Sequence, residues 1–401
     1  MTEPGISYSL TYVQMRLFLS AKENSHWVGT WATTVAPTEG IALDNQTIRM
    51  IARVSIGGQR LRVRLSNAYG LRKLAIGRAC VALRAEGAGI VPGSDRPLTF
   101  NGSPSTTVAV GALVVSDPFD LDLPPLSDLV VSVYLPGEVP ENFLVTGHGN
   151  AHQTNYISPP GEFTAAPVMP VHQTTEAFLI VSGVEVLAPP NTGSIVAFGD
   201  SLTECNISRL DANNRWPDQL ARRLVARGGR MFGVMNQGIG GSRILHDIRG
   251  DSGLRRFDRD VLAQTGVTHV IVLMGINDIR NRWQKPEEFV SAEEMIAGLN
   301  QFAVRAHARG IKIFGGTLLT FEYESFNPGF YTPEGEAKRQ AVNAWIRGGG
   351  AFDAVIDFEK ALRDPGQPTR MLPAYDCGDH LHPSDAGYLR MGDIIDLSLF
   401  D

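Results

Sequence analysis

A serine becomes a nucleophile only where a base can take its proton and donors can hold the oxyanion created by its attack. Four short segments of this chain offer those parts. The first is SIVAFGDSL, an apolar run that ends in Gly199-Asp200-Ser201. It sets Ser201 at the carboxyl end of a strand and just ahead of a helix, on the rim where open α/β sheets bind ligands. Alone, such a serine is equally a helix cap. The second, NQGIGGSR (residues 236–243), either serves a turn or leaves the bare amide of Gly241 free to approach a substrate oxygen. The third, MGINDI, places Asn277 either as a turn residue or as a side-chain amide donor. The fourth, YDCGDHLHPSDAGY, carries Asp379 and His382 three residues apart, close enough for the carboxylate to hold one imidazole nitrogen. Pro383 stiffens the backbone after the histidine.

These parts act together only if the fold brings them to one place. From Ser194 onward, apolar strands alternate with helical patterns. Strands are expected at Ile195–Phe198, Met231–Met235, Val270–Leu273, Ile311–Phe314 and Ala354–Phe358. A helix near Trp216–Ala226 follows the first of them. Another begins after Ser291, whose partner Glu294 completes a capping box, and buries Met295, Leu299, Phe302 and Ala306. Thr332-Pro333 opens the next helix and Ser384 the last. Repeated β-then-α units imply a parallel sheet covered on both faces. In the common strand order 2-1-3-4-5, the first strand lies between the second and third. Ser201, Gly241 and Asn277 would then meet from three adjacent strand ends. The long segment Glu359–His382 would cross back to deliver the base.

The part before Pro190 follows a different pattern. Thr47–Val54, Arg60–Leu65, Thr107–Val115 and Leu129–Leu135 are short and rich in β-branched residues, and Gly57-Gly58, Pro92-Gly93, Pro124-Pro125 and Pro136-Gly137 break them as turns. Many short strands with frequent turns predict an antiparallel sandwich or jelly roll. Ala188-Pro189-Pro190 has the composition of a connector. The expected organisation is a poorly ordered leader over 1–26, a β-sandwich over 27–190 and an α/β domain over 191–401.

Other chemistries draw on some of the same residues. His380 and His382 with Asp376, Cys377 and Asp379 have the donor types of a metal cluster. The nucleophile and oxyanion donors favour the reading in which His382 is a base instead, and that reading calls for no metal and no cofactor. His269 enters a strand, His307 lies on a helix, and His148 and His152 sit in a glycine-rich stretch; each is expected to be structural or at the surface, with rimming the pocket as the alternative for His148 or His152. Cys80, Cys205 and Cys377 are expected to be buried thiols, with a Cys205–Cys377 pair as the sharper alternative. The formal net charge of −6 and the lack of a basic run argue against nucleic acid. No stretch approaches the ~20 apolar residues of a membrane span. The N-terminus does not read as an intact signal peptide, so cytoplasmic and exported locations both stay open. The oligomeric state is not encoded in any pattern found here.

Taken in order, GDSL (199–202), GIGGSR (238–243), GIND (275–278) and DHLHP (379–383) resemble the SGNH or GDSL hydrolases. The resemblance spans about residues 194–400. It implies a three-layer α/β/α, flavodoxin-like fold and hydrolysis of esters, often acetyl or short-chain acyl groups on carbohydrates, lipids or aryl alcohols. It implies Ser201 as nucleophile and first oxyanion donor, Gly241 and Asn277 as the other donors, and Asp379 and His382 as the rest of the triad. The β-rich half is similar, in strand pattern, to domains that precede the hydrolase in some carbohydrate esterases. A departure is Cys205, where many members carry glycine, and its bulk is expected to narrow the acyl pocket. The G-x-S-x-G elbow of the α/β-hydrolases is absent, since Thr203 follows Leu202. An acyltransferase using the same triad and a non-catalytic carbohydrate-binding protein are the competing functions. The expected partner is a small-molecule or carbohydrate ester.

Overall fold

The structure, a computed structural model, describes residues 25–39, 41–139, 144–280, 285–326 and 329–401. The expected leader lies outside these apart from its last two residues. The principal strands of the β-rich half are β1 (His26–Ala32), β2 (Leu43–Arg53), β3 (Gly58–Ser66), β4 (Arg78–Leu83), β5 (Phe119–Leu123), β6 (Asp128–Val139), β7 (Asn155–Pro160) and β8 (Val181–Ala188). They form two antiparallel sheets, one in the order β1-β8-β3-β5 and the other containing β7-β2-β6-β4. Side chains alternate across a strand. On β2, Ile48, Met50 and Ala52 therefore enter the core between the sheets with Val63, Val131 and Val186, while Ile51 joins a second cluster with Val130 and Tyr156. The region is all-β, two sheets sharing one core. One expected strand is not continuous: Thr107–Val115 divides into Thr106–Val108 and Leu113–Val115, which pair with different partners around a turn at Gly111, whose φ is 75°.

The other half is built on five parallel strands, β9 (Gly193–Gly199), β10 (Phe232–Gly238), β11 (Val267–Leu273), β12 (Lys312–Gly316) and β13 (Ala354–Ile356). Their order is β10-β9-β11-β12-β13, the expected 2-1-3-4-5. The short helices α1 (Ser201–Glu204) and α3 (Ile276–Ile279) begin just beyond the ends of β9 and β11. The longer helices are α2 (Trp216–Arg227), α4 (Ala292–His307), α5 (Pro333–Gly348) and α6 (Asp385–Asp393). Helix α2 packs with α6, and α4 with α5. Right-handed crossovers put these two pairs on opposite faces of the sheet, giving the α/β/α layering. The Ser291–Glu294 capping box forms, and α4 buries Met295, Leu299, Phe302 and Ala306 as its periodicity predicts.

The two halves are joined by many hydrogen bonds. Thr33 bridges Asn236 in parallel, and the Ser55 hydroxyl accepts the Val234 N–H at 2.8 Å. Thr34 donates to the buried carboxylate of Asp260 at 2.6 Å, and the Ser194 hydroxyl donates to Gly29 O at 3.1 Å. The outer edge of β10 is thus covered by the β-rich half, which leaves the three-residue β13 at the far edge of the sheet.

Candidate active site

Gly199 is the position that lets the chain leave β9 and turn at once into α1. A β-carbon there would lie 2.1 Å from the Thr203 hydroxyl and 2.3 Å from the Leu273 carbonyl oxygen, so no side chain fits. Asp200 follows as the N-cap of α1, its carboxylate accepting the Leu202 N–H at 3.0 Å. Ser201 is then the first helical residue. Burial pushes the Asp200 carboxyl up to about 7, with the Leu202 N–H opposing the shift. Beneath this turn, fully buried Arg256 donates to Gly199 O at 2.6 Å and to Gln237 O at 2.8 Å. One guanidinium therefore ties together the ends of β9 and β10. Asp260, itself bonded by Thr34, is its counterion at 3.0 Å.

His382 and Asp379 lie together on the C-terminal loop. His382 Nε2 lies 2.9 Å from Ser201 Oγ, and His382 Nδ1 lies 2.6 Å from Asp379 Oδ2. The other carboxylate oxygen accepts the N–H groups of Leu381 at 2.8 Å and His382 at 2.7 Å. Burial opposes ionisation of Asp379, but the His382 ring and these two amides outweigh it and hold the carboxyl well below the usual carboxylate range. With Nδ1–H bonded to a carboxylate, Nε2 is left as the acceptor for the serine proton. Ser201 and His382 are only 5% and 2% exposed, so the charges formed during a reaction would meet little bulk water.

The two glycine- and asparagine-bearing loops are fixed to each other beside the serine. Ile239–Ser242 is a tight turn closed by Ser242 N–H to Ile239 O at 3.1 Å, with Gly241 at φ 78°, a conformation that favours glycine. Among the described residues the Gly241 N–H has no acceptor. Asn277 Nδ2 donates to Ser242 O at 3.2 Å, and the next residue, Asp278, accepts the Ile244 N–H at 2.9 Å. Burial pushes the Asp278 carboxyl up to about 6, against the pull of the Ile244 amide and Arg243. The orientation of the Asn277 amide is set from behind by Arg280, whose Nη1 donates to Asn277 Oδ1 at 3.3 Å. Arg280 is fully buried and paired with buried Glu324, with its guanidinium near the faces of Phe326 and Phe330. Ser325 N–H bonds to Asp379 O at 2.9 Å, and Phe326 meets the His382 ring edge-on. One short segment thus touches both the amide side and the triad side.

Several expectations need correction. Cys205 and Cys377 do not pair: all three cysteines are free thiols. Nor does Cys205 narrow a pocket. It caps α1 in the left-handed conformation, φ 65°, and its thiol turns back onto the carbonyls of Leu202 and Thr203 inside the hydrophobic core. The glycine common at this position reflects that backbone conformation. The candidate metal donors divide. His380 binds Asp376 at 2.6 Å and His382 binds Asp379, while donor atoms of Asp376, Cys377 and Asp379 stay within 4.8 Å of one another.

His269 is structural, packed among Phe232, Phe314 and Phe400, and burial lowers its pKa to about 4. His307 pairs with Asp353. His152 meets Asn206, and His148 Nε2 lies 3.1 Å from the buried Glu204 carboxylate. Arg256, Arg280, Glu324 and the His148–Glu204 pair were not singled out from sequence. Only Asp278, inside the GIND segment, carried a local signal for its supporting role.

Residues 197–390 match the family described as GDSL-like Lipase/Acylhydrolase, so this part of the chain carries such a domain. No curated protein matches the chain. Among solved structures, a GDSL-like lipase from Bacteroides thetaiotaomicron is similar over 51% of this chain and 87% of its own, with 18% identity and a TM-score of 0.39. An acetylxylan esterase from Geobacillus stearothermophilus is similar over 50% and 91%, with 20% identity and a TM-score of 0.38.

Proposed function

We propose that the chain is a serine-dependent ester hydrolase of short-chain acyl esters, acetylated carbohydrates among its candidate substrates, with residues 191–401 as catalytic domain and 27–190 as accessory domain. The observation that carries this reading is the unbroken hydrogen-bond chain Ser201–His382–Asp379 at 2.9 and 2.6 Å. Ser201 Oγ attacks the ester carbonyl carbon while its proton passes to His382 Nε2. Asp379 stabilises the imidazolium and keeps its ring in place. The oxyanion is held by the N–H groups of Ser201 and Gly241 and by the Asn277 side chain, each such donor being worth about 3–4 kcal/mol in other hydrolases. His382 returns the proton to the leaving alcohol as the C–O bond breaks. Water then attacks the acyl-enzyme by the same route and releases the acid.

The test is hydrolysis of p-nitrophenyl esters from acetate to octanoate by the wild type and Ser201→Ala. Turnover of the short esters that vanishes in the variant supports the proposal. Turnover unchanged in Ser201→Ala refutes it.

A further inference from the structure

The cleft between the two halves has a composition that selects what can fill it. Its volume is about 440 Å³, within the usual range for a small-molecule site. The β-rich half contributes Thr38, Glu39 and Asn150 to its walls, and the catalytic half contributes Glu204, Ile248 and Arg249. The cleft adjoins the reaction centre on two sides. Glu204 stands three residues after Ser201 on α1, a spacing that puts both on neighbouring positions of one helix face. Arg249 packs beside Gly241, its Cδ 3.4 Å from where a β-carbon on that residue would be.

The polar groups here are not used up within the protein. Glu204 is 95% buried, with one carboxylate oxygen on His148 Nε2 at 3.1 Å and the other buried with no partner among the described residues. The side chains of Arg249 and Asn150 likewise form no hydrogen bond or ion pair among the described residues, and both are exposed. A cleft that mixes carboxylates, an amide, a hydroxyl and a guanidinium with small apolar patches does not suit a long acyl chain, which needs a continuous apolar lining. Two carboxylates disfavour an anion. A neutral polyol matches both features, with hydroxyls that donate and accept and C–H faces that rest on Ile248.

We propose that this cleft between the halves is the binding site for the polyhydroxylated part of the ester, and that Asn150 of the β-rich half and Arg249 select it. The inference rests on the esterase reading for its chemistry but assigns a separate site. Its test compares acetate release from 6-O-acetylglucose, which keeps its ring hydroxyls, with hydrolysis of p-nitrophenyl acetate by wild type, Asn150→Ala and Arg249→Ala. A lost hydrogen bond to the sugar lowers the ratio of the two kcat/KM values about tenfold in each variant. A ratio within twofold of wild type overturns the proposal, as does a variant that instead gains on p-nitrophenyl octanoate, because the cleft would then hold the acyl chain.

If the wild type cleaves neither ester, the esterase reading fails, and the site is read directly. 6-O-acetylglucose is titrated into each protein and followed by calorimetry. Binding by the wild type that weakens about tenfold in Asn150→Ala or Arg249→Ala sustains the site, and no binding by the wild type overturns it.

Discussion

The sharpest test of the candidate oxyanion site is the dependence of Asn277 on Arg280. The carbonyl end of the Asn277 amide accepts from Arg280 at 3.3 Å, and the NH2 end donates to Ser242 O at 3.2 Å, which leaves its second hydrogen for the substrate oxygen. Arg280 can only donate and Ser242 O can only accept, so together they permit one orientation of the amide. Without Arg280, a flipped amide would present its oxygen to the oxyanion. Removing the arginine alone would take away the charged partner of buried Glu324, at a cost of about 3–5 kcal/mol in stability. The perturbation is therefore the pair Arg280→Met with Glu324→Gln. Asn277→Ala should lower kcat by roughly 10²–10³, the loss of one donor. The Arg280/Glu324 pair should lower kcat by about 10² with KM changed little, because the donor is misdirected in the transition state only. Combining all three changes should cost no more than about threefold beyond Asn277→Ala alone, since one interaction cannot be lost twice. The assay is steady-state hydrolysis of p-nitrophenyl acetate, with melting temperature followed on every variant. Losses that multiply through the cycle would refute the positioning argument and leave Arg280 as a structural residue.

Three further outcomes follow from the geometry. Ser201→Ala and His382→Ala should each reduce kcat by at least about 10³ without lowering the melting temperature by more than a few degrees; comparable turnover in either protein would displace the triad. Because the folded-state pKa of Asp200 is raised from 3.8 to about 7 by burial, its contribution to stability is present below the unfolded value and lost as pH rises through about 7. Asp200→Asn, which keeps an acceptor for the Leu202 N–H, should thus gain in melting temperature relative to wild type at pH 8 and not at pH 4, and an equal difference at both would count against a buried, raised carboxyl. Residues 191–401 expressed alone should be insoluble or inactive, because Ser55, Gly29 and Thr34 supply bonds to Val234 of β10, Ser194 of β9 and Asp260. A soluble, active fragment would show that this interface is dispensable.

Elements with strong local patterns were legible in sequence. The caps at Ser291, Thr332 and Ser384 mark real helix starts, and all five apolar runs of the second half are strands within a few residues. The residues of the four motifs lie at strand ends, in loops or in the short helices α1 and α3 that begin just beyond the strands. Sequence order alone placed the motifs on one rim because parallel crossovers leave few topologies. The failures have a common physical cause. Thr107–Val115 has the composition of one strand, but its pairing partners lie elsewhere in the chain and divide it. The bulk of Cys205 suggests a narrowed pocket, whereas its direction is set by a backbone angle. Arg256, Arg280 and His148 act on groups 57, 44 and 56 residues away, respectively, and nothing near them in sequence announces the partner.

The pairing of β1 with β8 bears on how the chain is made. Strand β8 ends at Ala188 and β9 starts at Gly193, so the segment that closes the first antiparallel sheet leaves the ribosome immediately before the catalytic sheet begins. At about 5–20 residues per second, β10 follows within about ten seconds. The first half can by then have closed, and it offers β10 a finished surface on which to dock. The exposed edge of a half-built parallel sheet, a site at which nascent chains associate wrongly, is therefore covered by an earlier part of the same polypeptide. Vectorial synthesis makes the order of the two halves matter: with the order reversed, the catalytic sheet would wait for its cover through the synthesis of more than a hundred and fifty residues.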